Sequence, residues 1–231
     1  SDEWGTNYAG HFLIEAQSNG YLVSDYMLQQ WKNYQRGKAN SWTPSTTNFY
    51  GGDLTQAYRL YTLALAKAPE LGAMNRLKEF KYLSAEAKWR LAAAYKLTGQ
   101  DNTALDLISG LATTFPERSA PGYTFGSALR DQAMVLETLT IMGRKAKAAE
   151  LLPAIAASLS QDYWYSTQTT AYALIAIAKY CGKNPSGAKI IASGTVDGKT
   201  VDINSASYIR QLPILFKNGS SNVVISNKGS N

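Results

Sequence analysis

The chain has 231 residues, 45% of them hydrophobic, and a formal net charge of +6. At this length about 70% of the unfolded surface can be buried, so a core forms without staples. One cysteine, Cys181, excludes an internal disulfide, and a single histidine, His11, leaves a zinc site almost wholly to carboxylates, so neither a metal nor a cofactor is expected. Lys and Arg interleave with Asp and Glu instead of forming a stripe, which argues against a nucleic-acid partner. No apolar run reaches membrane-spanning length, so no direct membrane insertion is expected. The opening SDEWGTNYAG shows no basic-then-apolar leader pattern.

Apolar residues at helical spacing predict helices over 6–18, 23–36, 53–67, 70–80, 83–98, 101–114, 126–142, 145–158 and 166–181. Breakers at Gly20, Gly37, Pro69, Gly99, Pro116, Gly143 and Gly182 mark their ends. In the first helix Tyr8, His11, Phe12 and Glu15 share a face. His11 and Glu15 could form an acid–base dyad, but with no nucleophile in view, a histidine packed among aromatics is the preferred reading.

The stretch NSWTPSTTNFYGGDL, residues 40–54, joins Trp42, Phe49 and Tyr50 to a proline and a Gly pair. It reads either as a loop contacting a carbohydrate or peptide, or as a helix connection that tucks its rings onto the domain.

AKWRLAAAYKLTGQDNTALDLISGL and RDQAMVLETLTIMGRKAKAAELLPAI share one design of helix, glycine, polar link and return helix. Gly99 to Gly143 is 44 residues and Gly143 to Gly182 is 39. Such periods point to stacked α-hairpins, because one hairpin cannot bury its own apolar face. Residues 144–158 read as a one-sided helix, and residues 171–178 as apolar nearly all round, which calls for cover on several sides. The alternation predicts an inner layer wrapped by an outer one.

STQTTAYALIAIAKY, residues 166–180, sets hydroxyls and an amide before an apolar helix. Ser166 or Thr167 suits an N-cap, and no Gly-x-Ser-x-Gly turn accompanies it. Glu15, Asp53, Glu86, Asp131 and Glu137 are the candidate carboxylates for a polysaccharide hydrolase or lyase, which would need two of them to converge. Beyond Gly182, AKIIASGTVDGKTVDI places Asp197-Gly198 as a tight turn between strands. YIRQLPILFKNGSSNVVISN adds a second hairpin turning at Asn218-Gly219.

Tyr165-Ser166-Thr167-Gln168-Thr169-Thr170, followed by Ala176-Ile177-Ala178-Lys179-Tyr180, resembles the late helix of the thioester domain in alpha-2-macroglobulins and complement proteins, where Ser-x-Thr-Gln-Asp-Thr precedes an apolar helix ending Ala-x-x-Lys-Tyr. Residues 4–35, WGTNYAGHFLIEAQSNGYLVSDYMLQQWKNYQ, resemble that domain's Trp-x-Thr helix and the helix after it. AYRLYTLALAKAPELGAMNRL and AKWRLAAAYKLTGQ are similar to the bacterial members.

The resemblance implies a mainly α chain of about nine helices in two layers, forming a partial α/α toroid, with a short antiparallel β segment after it. Residues 1–182 would be the toroid, incomplete at its N-terminal end, and 183–231 the start of a truncated β-sandwich. It implies a non-enzymatic fragment of a periplasmic or cell-envelope protease trap, with proteases and the other domains of its parent chain as partners. The family's Cys-x-Glu-Gln thioester is absent, since Cys181 is followed by Gly182-Lys183-Asn184. Either it lies upstream of Ser1 or the parent lacks one, and no catalytic residue is carried over. The toroid reading expects a closed or partly closed ring with no convergent acid pair. A tetratricopeptide-like binding scaffold is the alternative, although its usual period is about 34 residues.

Overall fold

The computed structural model describes residues 2–44, 52–117, 124–182, 190–205 and 220–229. Its helices are α1 (Glu3–Ser18), α2 (Asp25–Ser41), α3 (Gly52–Leu65), α4 (Leu71–Lys78), α5 (Ala85–Leu97), α6 (Asp101–Ile108), α7 (Ala128–Ile141), α8 (Lys145–Leu159) and α9 (Thr167–Cys181). By contacts the chain divides into two compact units, Ser1–Cys181 and Gly182–Asn231.

Boundaries differ from the sequence expectation where a local polar contact outweighs periodicity. Helix α1 starts three residues early because the Asp2 carboxylate accepts from the Trp4 amide at 3.1 Å. Helix α2 continues past Gly37, which does not end it. Ala39 beyond that glycine is fully buried, and its carbonyl accepts from Gln56 Nε2 at 3.0 Å. Helix α6 stops at Ile108 instead of near 114. Ser109 turns extended there, and Trp89 Nε1 donates to the Ala112 carbonyl at 2.9 Å, holding that stretch outside the helix.

In the helical unit α3, α5 and α7 are buried over most of their length, whereas α4, α6 and α8 bury one narrow stripe each. The inner helices pack in the order α1, α3, α5, α7, α9, and the even-numbered helices lie against them from outside. This is a partial α/α toroid in two layers. Helix α9 departs from the expectation of cover all round. Tyr172, Ala173 and Ala176 are buried, but Leu174 is 55% exposed.

Helix α1 meets α2 at Gly10, where a Cβ would lie 2.0 Å from the Trp31 ring. Trp31 is pinned in turn by Nε1 donating to the Thr6 carbonyl at 3.1 Å. Gly10→Ala is therefore expected to destabilise by about 1–3 kcal/mol through overpacking. Gly37 has open space around it, so Gly37→Ala should stabilise by about 0.4–1 kcal/mol by restricting the unfolded chain and favouring helix. Urea titration of the two variants checks both signs. Equal effects would refute the packing argument.

The second unit contains strands β1 (Ile190–Val196), β2 (Lys199–Ser205) and β3 (Val223–Asn227) in the order β2-β1-β3, with both pairings antiparallel. Asp197 and Gly198 both take positive φ between β1 and β2, as a two-residue hairpin requires. Asp197 also exchanges backbone and side-chain hydrogen bonds with Asn222, fastening the start of β3 to that turn. The expected turn at Asn218-Gly219 lies outside the described residues.

Candidate functional site

All five inner helices send a polar side chain to one buried cluster. Helix α1 supplies His11 and Glu15, α3 supplies Tyr58 and Tyr61, α5 supplies Arg90, α7 supplies Glu137, and α9 supplies Tyr172 and Lys179. Glu137 is at the centre and 1% exposed. Its Oε1 accepts from Tyr61 Oη at 2.8 Å and Lys179 Nζ at 2.6 Å, and its Oε2 accepts from Arg90 Nη1 at 2.6 Å. Lys179 also pairs with Glu15 Oε1. That same oxygen lies 3.3 Å from His11 Nε2, within ion-pair reach. His11 Nδ1 is 2.9 Å from Tyr58 Oη, and its ring is edged by Tyr58 and Tyr61. The Arg90 guanidinium stacks 4.4 Å from the Tyr61 ring centre.

Burial alone would push the Glu137 carboxyl up, but the Lys179 and Arg90 charges outweigh it and hold it well below the usual carboxylate range. Glu15 is lowered for the same reason, by His11 and Lys179 against the effect of burial. Burial would depress the Lys179 ammonium, yet Glu137, Tyr61 and Glu15 raise it far above the ordinary lysine range. Tyr58, Tyr61 and Tyr172 are all raised, chiefly by burial.

These directions fix how stability depends on pH. Carboxylates with lowered folded pKa stabilise above about pH 4.3, and that contribution disappears as pH falls toward their folded values. A lysine and tyrosines with raised folded pKa stabilise below about pH 10, and that contribution disappears as pH climbs beyond it. A stability plateau between about pH 5 and 9 is expected from thermal melts across pH, with limbs on both sides. An acid limb of unchanged steepness in Glu137→Gln would refute the assignment to this cluster.

No family model matches the sequence, and no curated protein matches it. Solved structures do. Native alpha-2-macroglobulin from Escherichia coli, spanning domain MG7 to the C-terminus, aligns at TM-score 0.67 and 20% identity over 98% of this chain and 34% of that one. The chain has the fold of a bacterial alpha-2-macroglobulin over its described helices and sheet. Trypsin-activated alpha-2-macroglobulin from Escherichia coli aligns at TM-score 0.63 and 20% identity, over 98% of this chain and 15% of that one. Salmonella alpha-2-macroglobulin reacted with methylamine aligns at TM-score 0.67 and 18% identity, over 98% and 14%. The chain thus spans about a third of the first of these proteins and about a seventh of the others.

Within this alpha-2-macroglobulin fold the candidate residues separate clearly. Glu15 and Glu137 converge, which corrects the expectation of a ring without an acid pair. They meet on the Lys179 ammonium, and both oxygens of Glu137 are already engaged. A buried carboxylate held ionised by two cations is poorly suited to giving a proton to a leaving group. Asp53 Oδ2 accepts from the Ser84 amide at 2.8 Å, and Asp131 pairs with Arg130 at 2.6 Å in full burial.

In the Ser-Thr-Gln-Thr stretch, Ser166 Oγ accepts from the Thr169 amide at 3.2 Å as an N-cap. Thr169 Oγ1 is 2.8 Å from Ser127 Oγ, and Gln168 Oε1 accepts from Arg130 Nη1 at 3.1 Å. The stretch fastens α9 to α7. Trp42 packs edge-on against Phe80, while Phe49 and Tyr50 lie outside the described residues. Sequence reasoning missed Lys179 and Arg90 as functional partners. The available signal was a charged residue inside each of the apolar runs WRLAAAY and ALIAIAKY.

Proposed function

We propose that this chain is part of a bacterial alpha-2-macroglobulin-like protease trap, with residues 1–182 as its thioester-type toroid, incomplete at the N-terminal end, and residues 183–231 as the start of the following β-sandwich. The segment acts as scaffold and contact surface and is not itself an enzyme. Its partners are a protease and the other domains of its parent, in the periplasm or cell envelope. The observation that carries this reading is the alignment of 98% of the chain, helices and sheet together, with proteins described as trypsin-activated and methylamine-reacted alpha-2-macroglobulin.

One further feature supports a contact role. Phe12, Tyr21, Leu22 and Met27 are exposed apolar or aromatic residues around a groove of about 650 Å³ between α1, the start of α2 and α9. Among the described residues no helix is long and apolar enough to cross a membrane. The loop bearing Trp42, Phe49 and Tyr50 is proposed as a second contact region.

The test is protease capture by the full-length gene product. Exposure to trypsin should change its mobility on native gels and shield the held trypsin from a large inhibitor, while small substrates are still cleaved. A full-length product that is cut by trypsin without retaining it would exclude the trap. Methylamine labelling of a glutamine outside this chain would identify a covalent trap, and a capturing but unlabelled protein a non-covalent one.

A further inference from the structure

We propose that the groove between the end of α6 and the α7–α8 turn is a docking site for an acidic segment of a partner protein, one that carries a single Asp or Glu beside an apolar side chain. The groove has a volume of about 400 Å³. Trp89 and Leu139, both buried, form its floor, and the partly buried Leu105, Ile108 and Leu111 continue the apolar lining. Arg144 and Lys147 also line it and are exposed.

Backbone contacts hold both sides of the groove in place. Toward α6, Trp89 Nε1 donates to the Ala112 carbonyl at 2.9 Å. Toward α8, Gly143 takes a φ of 71°, and the Arg144 amide donates to the Leu139 carbonyl at 2.8 Å, the closure that ends a helix. The groove is therefore preformed, and an occupant need order little backbone on binding.

Charge names the occupant. Arg144 at the N-cap, with Lys145 and Lys147 in the first turn, crowds the start of α8, where the helix dipole is positive and cations are disfavoured. That turn holds no acidic residue and no side-chain cap. Among the described residues none of these three cations has a carboxylate within ion-pair distance. Exposed cations elsewhere do pair, Arg36 with Glu70 and Lys38 with Glu3. A carboxylate entering beside this turn answers the cations and the first-turn amides together, while the apolar side chain next to it covers the floor. Asp106 also lines the groove and sets the limit. A run of carboxylates would bring like charge against it, so the fit is to one acid beside an apolar residue and not to a polyanion. No lining residue is shared with the groove of α1, α2 and α9, and the site stands whether or not the parent protein traps a protease.

The experiment pans a phage-displayed random heptapeptide library on the 231-residue chain and on its Arg144→Gln, Lys147→Gln double variant. Peptides enriched on the native chain should carry one Asp or Glu next to Leu, Ile or Phe. In fluorescence-anisotropy titrations at low salt, synthetic copies should bind the native chain at least about tenfold more tightly than the double variant, and lose that margin when their acid becomes Gln. Asp106→Asn should tighten the same peptides about twofold or more. Enrichment of peptides without an acid, no enrichment at all, or equal binding to both chains would overturn the proposal. Should the double variant melt below the native chain, the Asp106→Asn gain carries the test, and its absence overturns the proposal.

Discussion

Glu137→Ala is expected to destabilise the helical unit by about 3–5 kcal/mol, because it leaves the fully buried Arg90 and the half-buried Lys179 without their shared counter-ion. At about 2–4 °C per kcal/mol for a domain of this size, the midpoint should fall by roughly 6–20 °C. Arg90 would lose the acceptor at 2.6 Å, and its Nε and Nη2 already make no hydrogen bond. Tyr61 would lose the acceptor for its hydroxyl proton, and Lys179 would keep Glu15 and the Tyr61 hydroxyl at 3.5 Å.

The loss reflects orphaned charge more than the worth of the pair. The combined change Glu137→Leu with Arg90→Met removes one charge of each sign and should recover at least half of it. Thermal melts followed by circular dichroism of the single and double variants distinguish the cases. A single variant that loses under about 1 kcal/mol would mean that water or a rearranged Glu15 compensates, against the burial seen here.

Much of the fold was legible in the sequence because its cause is local. Breakers and apolar spacing placed all nine described helices, and Asp197-Gly198 announced the turn that joins β1 to β2. The misreadings share one origin. Gly37 reads as a stop because glycine favours helix ends, but the buried Ala39 and the Gln56 contact hold the helix through it. The spacing extends α6 too far because Leu111 continues the apolar pattern, whereas Trp89, which holds the Ala112 carbonyl outside the helix, is 23 residues away in the chain.

The cluster was the least legible part for the same reason. Glu15, Glu137 and Lys179 sit on helices brought together only by the ring, so no spacing joins them. Only the packing of α1 beside α7 and α9 shows that His11, packed among aromatics, also faces a carboxylate pair.

The second large effect is expected at Arg130, and it explains what the Ser-Thr-Gln-Thr stretch does. Arg130 is fully buried and its guanidinium is 4.8 Å from the Trp4 ring centre. It donates from Nε and Nη2 to Asp131 Oδ1 at 3.0 and 2.6 Å, and from Nη1 to the Thr124 carbonyl and to Gln168 Oε1. One side chain thus joins α7 to α1, to the start of α9 and to the segment before α7. Arg130→Met takes the ion-pair partner from a buried carboxylate and should cost about 3–5 kcal/mol. Arg130→Lys restores the charge but not the planar fork, so it should recover less than half.

Gly126 gives an independent check. A Cβ there would lie 2.6 Å from Arg130 Nη2, so Gly126→Ala should disturb the same fork and mimic part of the Arg130→Met loss. If Arg130 only filled space, the methionine variant would be nearly neutral and the lysine variant no better. If it is the tie between helices, amide exchange should quicken first across Thr169–Ala173, where α9 begins, while the centre of α5 stays protected. That order of loss would identify the hydroxyl-rich entry to α9 as an anchoring point of the ring.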